Sequence, residues 1–164
     1  MTIRPTTYGD IDTLQAIFVR ARQLMAIDGN PTQWGDGYPD RQQLEEDVLR
    51  GVSYVVEQDG EVCATFVFII GGDPTYDIIE DGAWLDNEQL YGTIHRIASN
   101  QRIKGVFDTV LDWCTLHCSN LRIDTHQDNR RMIHLIEKAG FCRCGIIYTR
   151  NHSPRIAYQR IVIT

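Results

Sequence analysis

The chain has 164 residues and a formal net charge of −6 at pH 7; 43% of its residues are hydrophobic and 23% are charged. This balance is typical of a soluble globular protein, and the length fits a single domain, 1–164, with a substantial core. The acidic charge argues against a broad nucleic-acid-binding surface. No apolar run is long enough for a membrane helix, and the N-terminus lacks the apolar core of a signal peptide. We therefore expect a cytoplasmic protein that binds neither nucleic acid nor membranes.

The first third of the chain predicts a short strand followed by two helices. Thr2–Pro5 is the strand, and Tyr8–Ile27 is a helix because its apolar residues recur at helical spacing, namely Ile11, Leu14, Ile17, Phe18, Ala21, Leu24 and Met25. Asp40 caps a second helix that runs through Arg50, with three residues expected to face inward: Leu44, Val48 and Leu49. The loop between the helices contains Trp34 and Tyr38, which either cover the edge of the core or contribute to a binding surface.

The middle of the chain predicts a β-hairpin and then an acidic insert. Ser53–Gln58 and Glu61–Ile70 are apolar strands joined by Asp59-Gly60, a strong turn signal. The insert, residues 75–90, has no clear periodicity. It either reaches a functional site, where Glu80, Asp81 and Trp84 would line a pocket for a cationic amine, or it is a solvated loop anchored by Trp84.

A strand, a polar loop and a helix then predict an anion-binding site. The strand is Thr93–Ala98, the loop begins with Ser99–Arg102, and the helix is Gly105–Cys118. The first turn of a helix has backbone N–H donors without partners, and a glycine at its start lets a ligand approach closely. Arg102 and Lys104 add positive charge beside those donors. The pattern favours phosphate or pyrophosphate as the ligand.

The last third completes an alternating order of elements. Leu121–Thr125 is a strand, a helix begins at Asp128 or Asn129 and ends before Gly140, and two strands follow over Phe141–Tyr148 and Arg155–Val162. The order is β-α-α-β-β-β-α-β-α-β-β. It predicts an α/β (α+β) domain with a mixed, mostly antiparallel sheet and helices on both faces.

Two segments carry a family resemblance. The first is Arg102–Phe107, RIKGVF, and the second is Asn129–Phe141, NRRMIHLIEKAGF. They resemble, in the same order, the R-x-x-G-x-G/A loop and the N-x-x-A-x-x-L-Y-x-K-x-G-F signature of the GNAT superfamily of acetyl-CoA-dependent N-acyltransferases. Two positions depart from the pattern. Phe107 stands where Gly or Ala is usual, and Ile136 stands where many members carry the tyrosine that protonates the leaving thiolate.

The resemblance implies a GNAT fold and acetyl-CoA as co-substrate, with an amine acceptor as the other partner. The central strand would hydrogen-bond the pantetheine arm, the loop would hold the pyrophosphate, and an asparagine would touch the cofactor unless it is an ordinary helix cap. The residues so implicated are Ile97, Ala98, Arg102, Ile103, Lys104, Gly105, Val106, Phe107 and Asn129. We expect a monomer or a homodimer.

Proton transfer is assigned less directly. His95 lies in the central strand and has a side chain suited to proton transfer near neutral pH. Asp124 and His126 lie at the end of the next strand, and Tyr148 is a substitute for the missing tyrosine. For each of these four residues the alternative to proton transfer is an ordinary structural role. Water can also relay the proton. Trp34, Tyr38, Glu80 and Trp84 are the candidates for contacting the acceptor.

The resemblance thus predicts an N-acetyltransferase acting on a small-molecule or protein amine. A catalytically silent CoA-binding module is an alternative because of Phe107 and Ile136. A nucleotide- or phosphate-binding regulatory domain is a third possibility. The five cysteines have no standard zinc spacing, and their odd number without a secretion signal indicates reduced thiols, so we expect no metal.

Overall fold

A computed structural model describes residues 1–163, within which the chain forms seven strands and four helices. In chain order these are β1 Thr2–Pro5, α1 Ile11–Ile27, α2 Arg41–Leu49, β2 Ser53–Gln58, β3 Glu61–Ile70, β4 Gly92–Ser99, α3 Val106–His117, β5 Asn120–Thr125, α4 Arg130–Lys138, β6 Cys142–Tyr148 and β7 Pro154–Ile161. Short 3-10 turns precede α1 and follow β3. The predicted order of elements is confirmed.

The strands form a mixed sheet in the order β1-β2-β3-β4-β5-β7-β6. The pairs β1/β2, β2/β3, β5/β7 and β6/β7 are antiparallel. The pair β4/β5 is parallel, with Gly92 opposite Leu121 and Thr93 opposite Arg122. The prediction of a mixed, mostly antiparallel sheet is therefore confirmed. The last strand, β7, lies between β5 and β6 and so is an interior strand.

The chain forms two compact units, neither of which is continuous in sequence. Unit 1 comprises Met1–Phe68 and His95–Trp113, and unit 2 comprises Ile69–Ile94 and the residues from Cys114 onward. Strands β3 and β4 contribute residues to both units. A single domain over 1–164 stays a prediction from the sequence.

The core of unit 1 forms where the apolar stripe of α1 packs against residues from α2, β2 and β4. The buried residues of this cluster are Ile11, Leu14, Ile17, Phe18, Leu44, Val55 and Ala98. Burying one such aliphatic or aromatic side chain contributes about 1.5–3 kcal/mol. Trp34 packs on this cluster, with its ring centroid 5.4 Å from that of Phe18.

One inward position of α2 was predicted wrongly. Leu49 is 78% exposed, whereas Asp47 is 1% exposed. Leu44, Asp47 and Val48 stand at i, i+3 and i+4 on one face of the helix, and Leu49 lies off that face. A carboxylate occupies the buried position because Arg96 pairs with it. Sequence hydropathy alone does not show such a pairing.

The core of unit 2 includes the acidic insert that follows β3. Tyr76 and Trp84 of the insert pack with Cys144, Ile147 and Ala157, and Trp84 Nε1 donates a hydrogen bond to the Tyr76 carbonyl at 3.0 Å. The insert also contacts β6 through its backbone, since Glu80 and Ile146 exchange N–H···O bonds of 2.9 and 2.8 Å. The insert is thus an ordered strap, and Trp84 acts as its anchor.

Candidate active site

The polar loop between β4 and α3 has a backbone that only certain residues adopt easily. Gly105 has φ +82°, and Gln101 has φ +65°. Two side-chain oxygens stabilise the loop: Ser99 Oγ accepts from the Gln101 N–H at 3.2 Å, and Asn100 Oδ1 accepts from the Arg102 N–H at 3.0 Å. The N–H groups in the first turn of α3 have no intrahelical acceptor, and the helix dipole is positive there. The loop therefore offers backbone donors to an anion.

The side chains of the loop divide into exposed cations and buried apolar groups. Arg102 and Lys104 are exposed, and Arg102 makes a long contact of 3.8 Å with the equally exposed Glu61 carboxylate. Val106 and Phe107 are 8% and 7% exposed. Their side chains belong to the core, so a ligand at this loop would meet only their backbone amides.

Strand β4 carries a backbone irregularity at Arg96, which has φ +47°. Left-handed backbone at a non-glycine residue is strained by about 1–3 kcal/mol and persists only where the surroundings fix it. Here the side chain of Arg96 donates to both carboxylate oxygens of Asp47, from Nε at 3.0 Å and from Nη2 at 2.7 Å. A third bond runs from Nη1 to the Tyr38 hydroxyl at 2.9 Å. His95, Ile97 and Ala98, which the sequence predicted as site residues, are close neighbours of Arg96 along β4.

At the end of β5, Asp124 accepts a short hydrogen bond from a residue that the sequence did not reveal. The Tyr76 hydroxyl donates to Asp124 Oδ1 at 2.6 Å. Tyr76 is buried, and burial together with the negative charge of Asp124 raises the pKa of its phenol well above 10. Tyr76 is therefore a permanent donor at neutral pH. The sequence next to Tyr76 indicates a turn at Asp73-Pro74, in which Asp73 Oδ1 accepts from the Thr75 N–H at 2.9 Å, but it does not indicate the contact with Asp124.

His126 is buried and held in a neutral form. Its Nδ1 accepts a hydrogen bond from the Asp128 N–H at 3.0 Å, so the ring proton lies on Nε2. Burial lowers its pKa, and the positive charge of Arg155 lowers it further. Because its acceptor nitrogen is already occupied, His126 is poorly arranged to act as a general base.

Tyr148 and Glu80, predicted respectively as an acid and an acceptor contact, lie together in unit 2. A hydrogen bond with Glu80 is the main cause of a raised pKa for Tyr148. Tyr148 is 38% exposed, so its protonated hydroxyl is accessible from solvent. This pair can donate a proton but is not suited to removing one.

The predicted acceptor contact Trp84 is buried against a cation. Arg122 is 1% exposed, and its Cζ lies 3.9 Å from the Trp84 ring centroid and 3.8 Å from that of Tyr91. Arg122 also donates from Nη2 to the Asp86 carbonyl at 2.9 Å. The sequence did not suggest Arg122 as a structural residue. Trp84 and Arg122 together fix the insert on β5.

Unit 2 also contains a cavity of about 310 Å³ between residues of α4, β6 and β7. Its polar lining includes Glu137, Arg143, Arg155 and Tyr158. The Tyr158 hydroxyl donates to Glu137 Oε2 at 3.2 Å, and burial is the main cause that raises the Tyr158 pKa to about 12. None of the residues predicted to act in catalysis, cofactor binding or acceptor binding lines this cavity.

The fold matches that of solved acetyltransferases. A GNAT-family acetyltransferase from Streptococcus agalactiae is 34% identical, with a TM-score of 0.89 over 99% of this chain and 96% of that one. The present chain belongs to the GNAT family.

Two further GNAT-fold structures are similar at lower identity. A ribosomal-protein-alanine N-acetyltransferase from Brucella melitensis is 19% identical, with a TM-score of 0.63 over 99% of this chain and 100% of that one. An aminoglycoside acetyltransferase in complex with coenzyme A and kanamycin is 21% identical, with a TM-score of 0.66 over 98% and 94%. The sequence matches no family model and no curated protein.

The second GNAT signature segment forms α4 and its caps. Asn129 is the N-cap, and its Oδ1 accepts from the Met132 N–H at 3.1 Å. Contact of Asn129 with a cofactor stays a prediction. Ile136, at the position of the usual GNAT tyrosine, is fully buried. Ile136 therefore offers no hydroxyl that could donate a proton at this position.

The cysteines, acidic residues, histidines and helices of residues 1–163 in this GNAT protein bear on metal binding and membrane insertion. That range contains no cluster of three or more His, Cys, Asp or Glu side chains arranged to hold a metal ion. All five cysteines are free. Each helix in the range is too short or too polar to span a bilayer.

Proposed function

We propose that this GNAT protein transfers an acetyl group from acetyl-CoA to a primary amine of a small molecule or a protein. The observation that carries the proposal is the loop at the start of α3, where Gly105 adopts a positive φ and the first-turn amides stand beside Arg102 and Lys104. Such a loop suits a pyrophosphate. Its residues are those of the GNAT R-x-x-G motif, which supports coenzyme A as the anion.

The reaction requires two proton transfers from this chain or from water. The amine nitrogen forms a bond to the thioester carbonyl carbon and the carbon–sulfur bond breaks, so one proton leaves nitrogen and one reaches sulfur. Asp124 is a carboxylate that can accept the first. Tyr148 is a protonated phenol that can supply the second.

The charge distribution supports a cationic acceptor. Residues 71–90 contain six acidic residues and no Lys or Arg. The formal charge of this segment therefore equals the net charge of −6 of the whole chain. The solved relatives include an enzyme for the alanine of a ribosomal protein and one crystallised with kanamycin. A peptide with N-terminal alanine, kanamycin and spermidine therefore form a reasonable acceptor panel.

Thermal unfolding with acetyl-CoA, CoA, ATP or NAD tests the cofactor. A ligand that binds only the folded state stabilises it by about 2.7 kcal/mol at a hundredfold excess over its Kd. We expect stabilisation by the two CoA species alone, and its loss in Arg102→Glu/Lys104→Glu. Arg20→Glu is the matched control, because Arg20 is an exposed cation on α1. Stabilisation by ATP or NAD but not by CoA would instead favour a nucleotide-binding domain.

Turnover of each panel amine with acetyl-CoA tests the activity. The release of the free CoA thiol measures that turnover. The buried Ile136 in place of tyrosine favours one other function, a catalytically silent CoA-binding module. Stabilisation by CoA without turnover of any panel amine would support that module. Turnover of one amine would exclude it.

A further inference from the structure

The hydrogen bond between Tyr76 and Asp124 joins residues that are far apart in sequence. At 2.6 Å it has the length of a charge-assisted hydroxyl-to-carboxylate bond, and the donor is a fully buried side chain. It joins the insert to the part of β5 where the sequence predicted proton transfer. The pair therefore links a structural element to a candidate catalytic group.

The ring of Tyr76 is held on several sides, so the direction of its hydroxyl is fixed. Its centroid lies 5.1 Å from that of Trp84 and 6.2 Å from that of Tyr91. Its carbonyl accepts from Trp84 Nε1. Both neighbouring rings in turn contact the buried guanidinium of Arg122. A donor held in this way restricts the rotation of the carboxylate that it contacts.

Asp124 is the best placed of the predicted proton acceptors in unit 2. The acceptor nitrogen of His126 is occupied by the Asp128 N–H, and the Tyr148 hydroxyl retains its proton beside Glu80. Asp124 is half-buried, and Tyr76 is bonded to Oδ1 alone. The positive charge of Arg155 also acts on the Asp124 carboxylate.

We propose that Tyr76 is a positioning residue for acyl transfer: it fixes the Asp124 carboxylate through Oδ1, so that Oδ2 accepts a hydrogen bond from the acceptor amine. This inference rests on the proposed function. In this proposal Asp124 contacts the acceptor amine. Tyr76 affects the reaction only by positioning Asp124. Neither the GNAT signature segments nor the sequence periodicity points to Tyr76.

The test is a double-mutant cycle in the full-length protein, with the best amine of the panel as acceptor. The variants are Tyr76→Phe, Asp124→Asn and the two combined. Tyr91→Phe is the matched control, because the Tyr91 hydroxyl belongs to the same aromatic cluster but accepts from the Asp73 N–H at 2.8 Å. For each protein, kcat/KM for the amine, KM for acetyl-CoA and the melting temperature with CoA are measured.

We expect Tyr76→Phe to lower kcat/KM for the amine about tenfold, as for the loss of one hydrogen bond to a charged group. KM for acetyl-CoA and the stabilisation by CoA should not change. In the Asp124→Asn background, Tyr76→Phe should have no further effect, because a residue that acts through another is not additive with it. Tyr91→Phe should retain wild-type kcat/KM.

Two results would overturn the inference while leaving the function intact. One is an active wild type whose kcat/KM is insensitive to Tyr76→Phe. The other is a loss of equal size in both backgrounds, which would mean that Tyr76 acts by general stabilisation. A wild type that neither binds CoA nor acetylates any panel amine would instead refute the proposed function, and the assignment of Tyr76 with it.

Discussion

Removal of the Asp47 carboxylate should destabilise unit 1 strongly. Asp47 is 1% exposed and accepts three hydrogen bonds, two from Arg96 at 3.0 and 2.7 Å and one from Gln43 Nε2 at 3.0 Å. In Asp47→Ala the guanidinium of Arg96, whose side chain is only 13% exposed, loses its counter-charge. The left-handed backbone of β4 at Arg96 loses its clamp at the same time.

The magnitude follows from the burial of the pair. Removing one partner of a buried ion pair lowers the free energy of unfolding by about 3–5 kcal/mol. The lower end applies here because Arg96 keeps its bond to the Tyr38 hydroxyl and has some access to water. A loss of about 3 kcal/mol corresponds to a fall in Tm of roughly 9 °C for a chain of this length.

Urea unfolding followed by circular dichroism measures the change. Asp12→Ala is the matched control, because Asp12 pairs with Arg41 at a similar 2.8 Å but both side chains are largely exposed, and we expect no measurable effect. Asp47→Leu/Arg96→Met, which removes both charges, should recover much of the loss. If Asp47→Ala lowers the free energy of unfolding by less than about 1 kcal/mol, the pair contributes no more than a surface ion pair and the reasoning is refuted.

Three further predictions concern single positions. In Gly82→Ala the new Cβ would lie 1.9 Å from the Cys144 carbonyl oxygen, so we expect a loss of about 1–3 kcal/mol in urea unfolding as the strap is displaced. Gly105→Val forces a branched side chain into φ +82°, so calorimetric titration should show weakened CoA binding; unchanged affinity would exclude this loop as the phosphate site. A hydrogen bond from Arg4 is the main cause that lowers the Asp10 pKa from 3.8 to about 2. Its stabilising contribution is present above pH 3.8 and is lost as pH falls towards 2, so Asp10→Asn should flatten the dependence of the urea midpoint on pH in that range, and an unchanged slope would contradict it.

The sequence predicted the fold well because its apolar patterns are long and regular. The stripe of α1 spans several turns, and the hairpin of β2 and β3 is marked by Asp59-Gly60 in positive-φ conformations. Most predicted boundaries agree with the structure to within one or two residues, as for β4, which was expected over 93–98 and runs from Gly92 to Ser99. Turn chemistry and periodicity are local properties, so they can be read from neighbouring residues.

The site was less predictable because its contacts are not local. Tyr76 and Asp124 are separated by 48 positions, and Asp47 and Arg96 by 49. Asp47 was missed since a carboxylate on a helix ordinarily faces water. Arg122 was missed for a related reason: in a strand of alternating polarity it looks solvent-exposed, whereas the two aromatic rings enclose it.

The interior place of β7 has a consequence during synthesis. Asn120–Thr125 and Cys142–Tyr148 both leave the ribosome before Pro154–Ile161, which is the strand that pairs with each of them. Until β7 emerges, the facing edges of β5 and β6 have unpaired N–H and C=O groups, a state prone to intermolecular pairing. A nascent chain that stalls or terminates just before Pro154 would thus leave two open strand edges, and we expect such products to be preferred targets of chaperones and proteases.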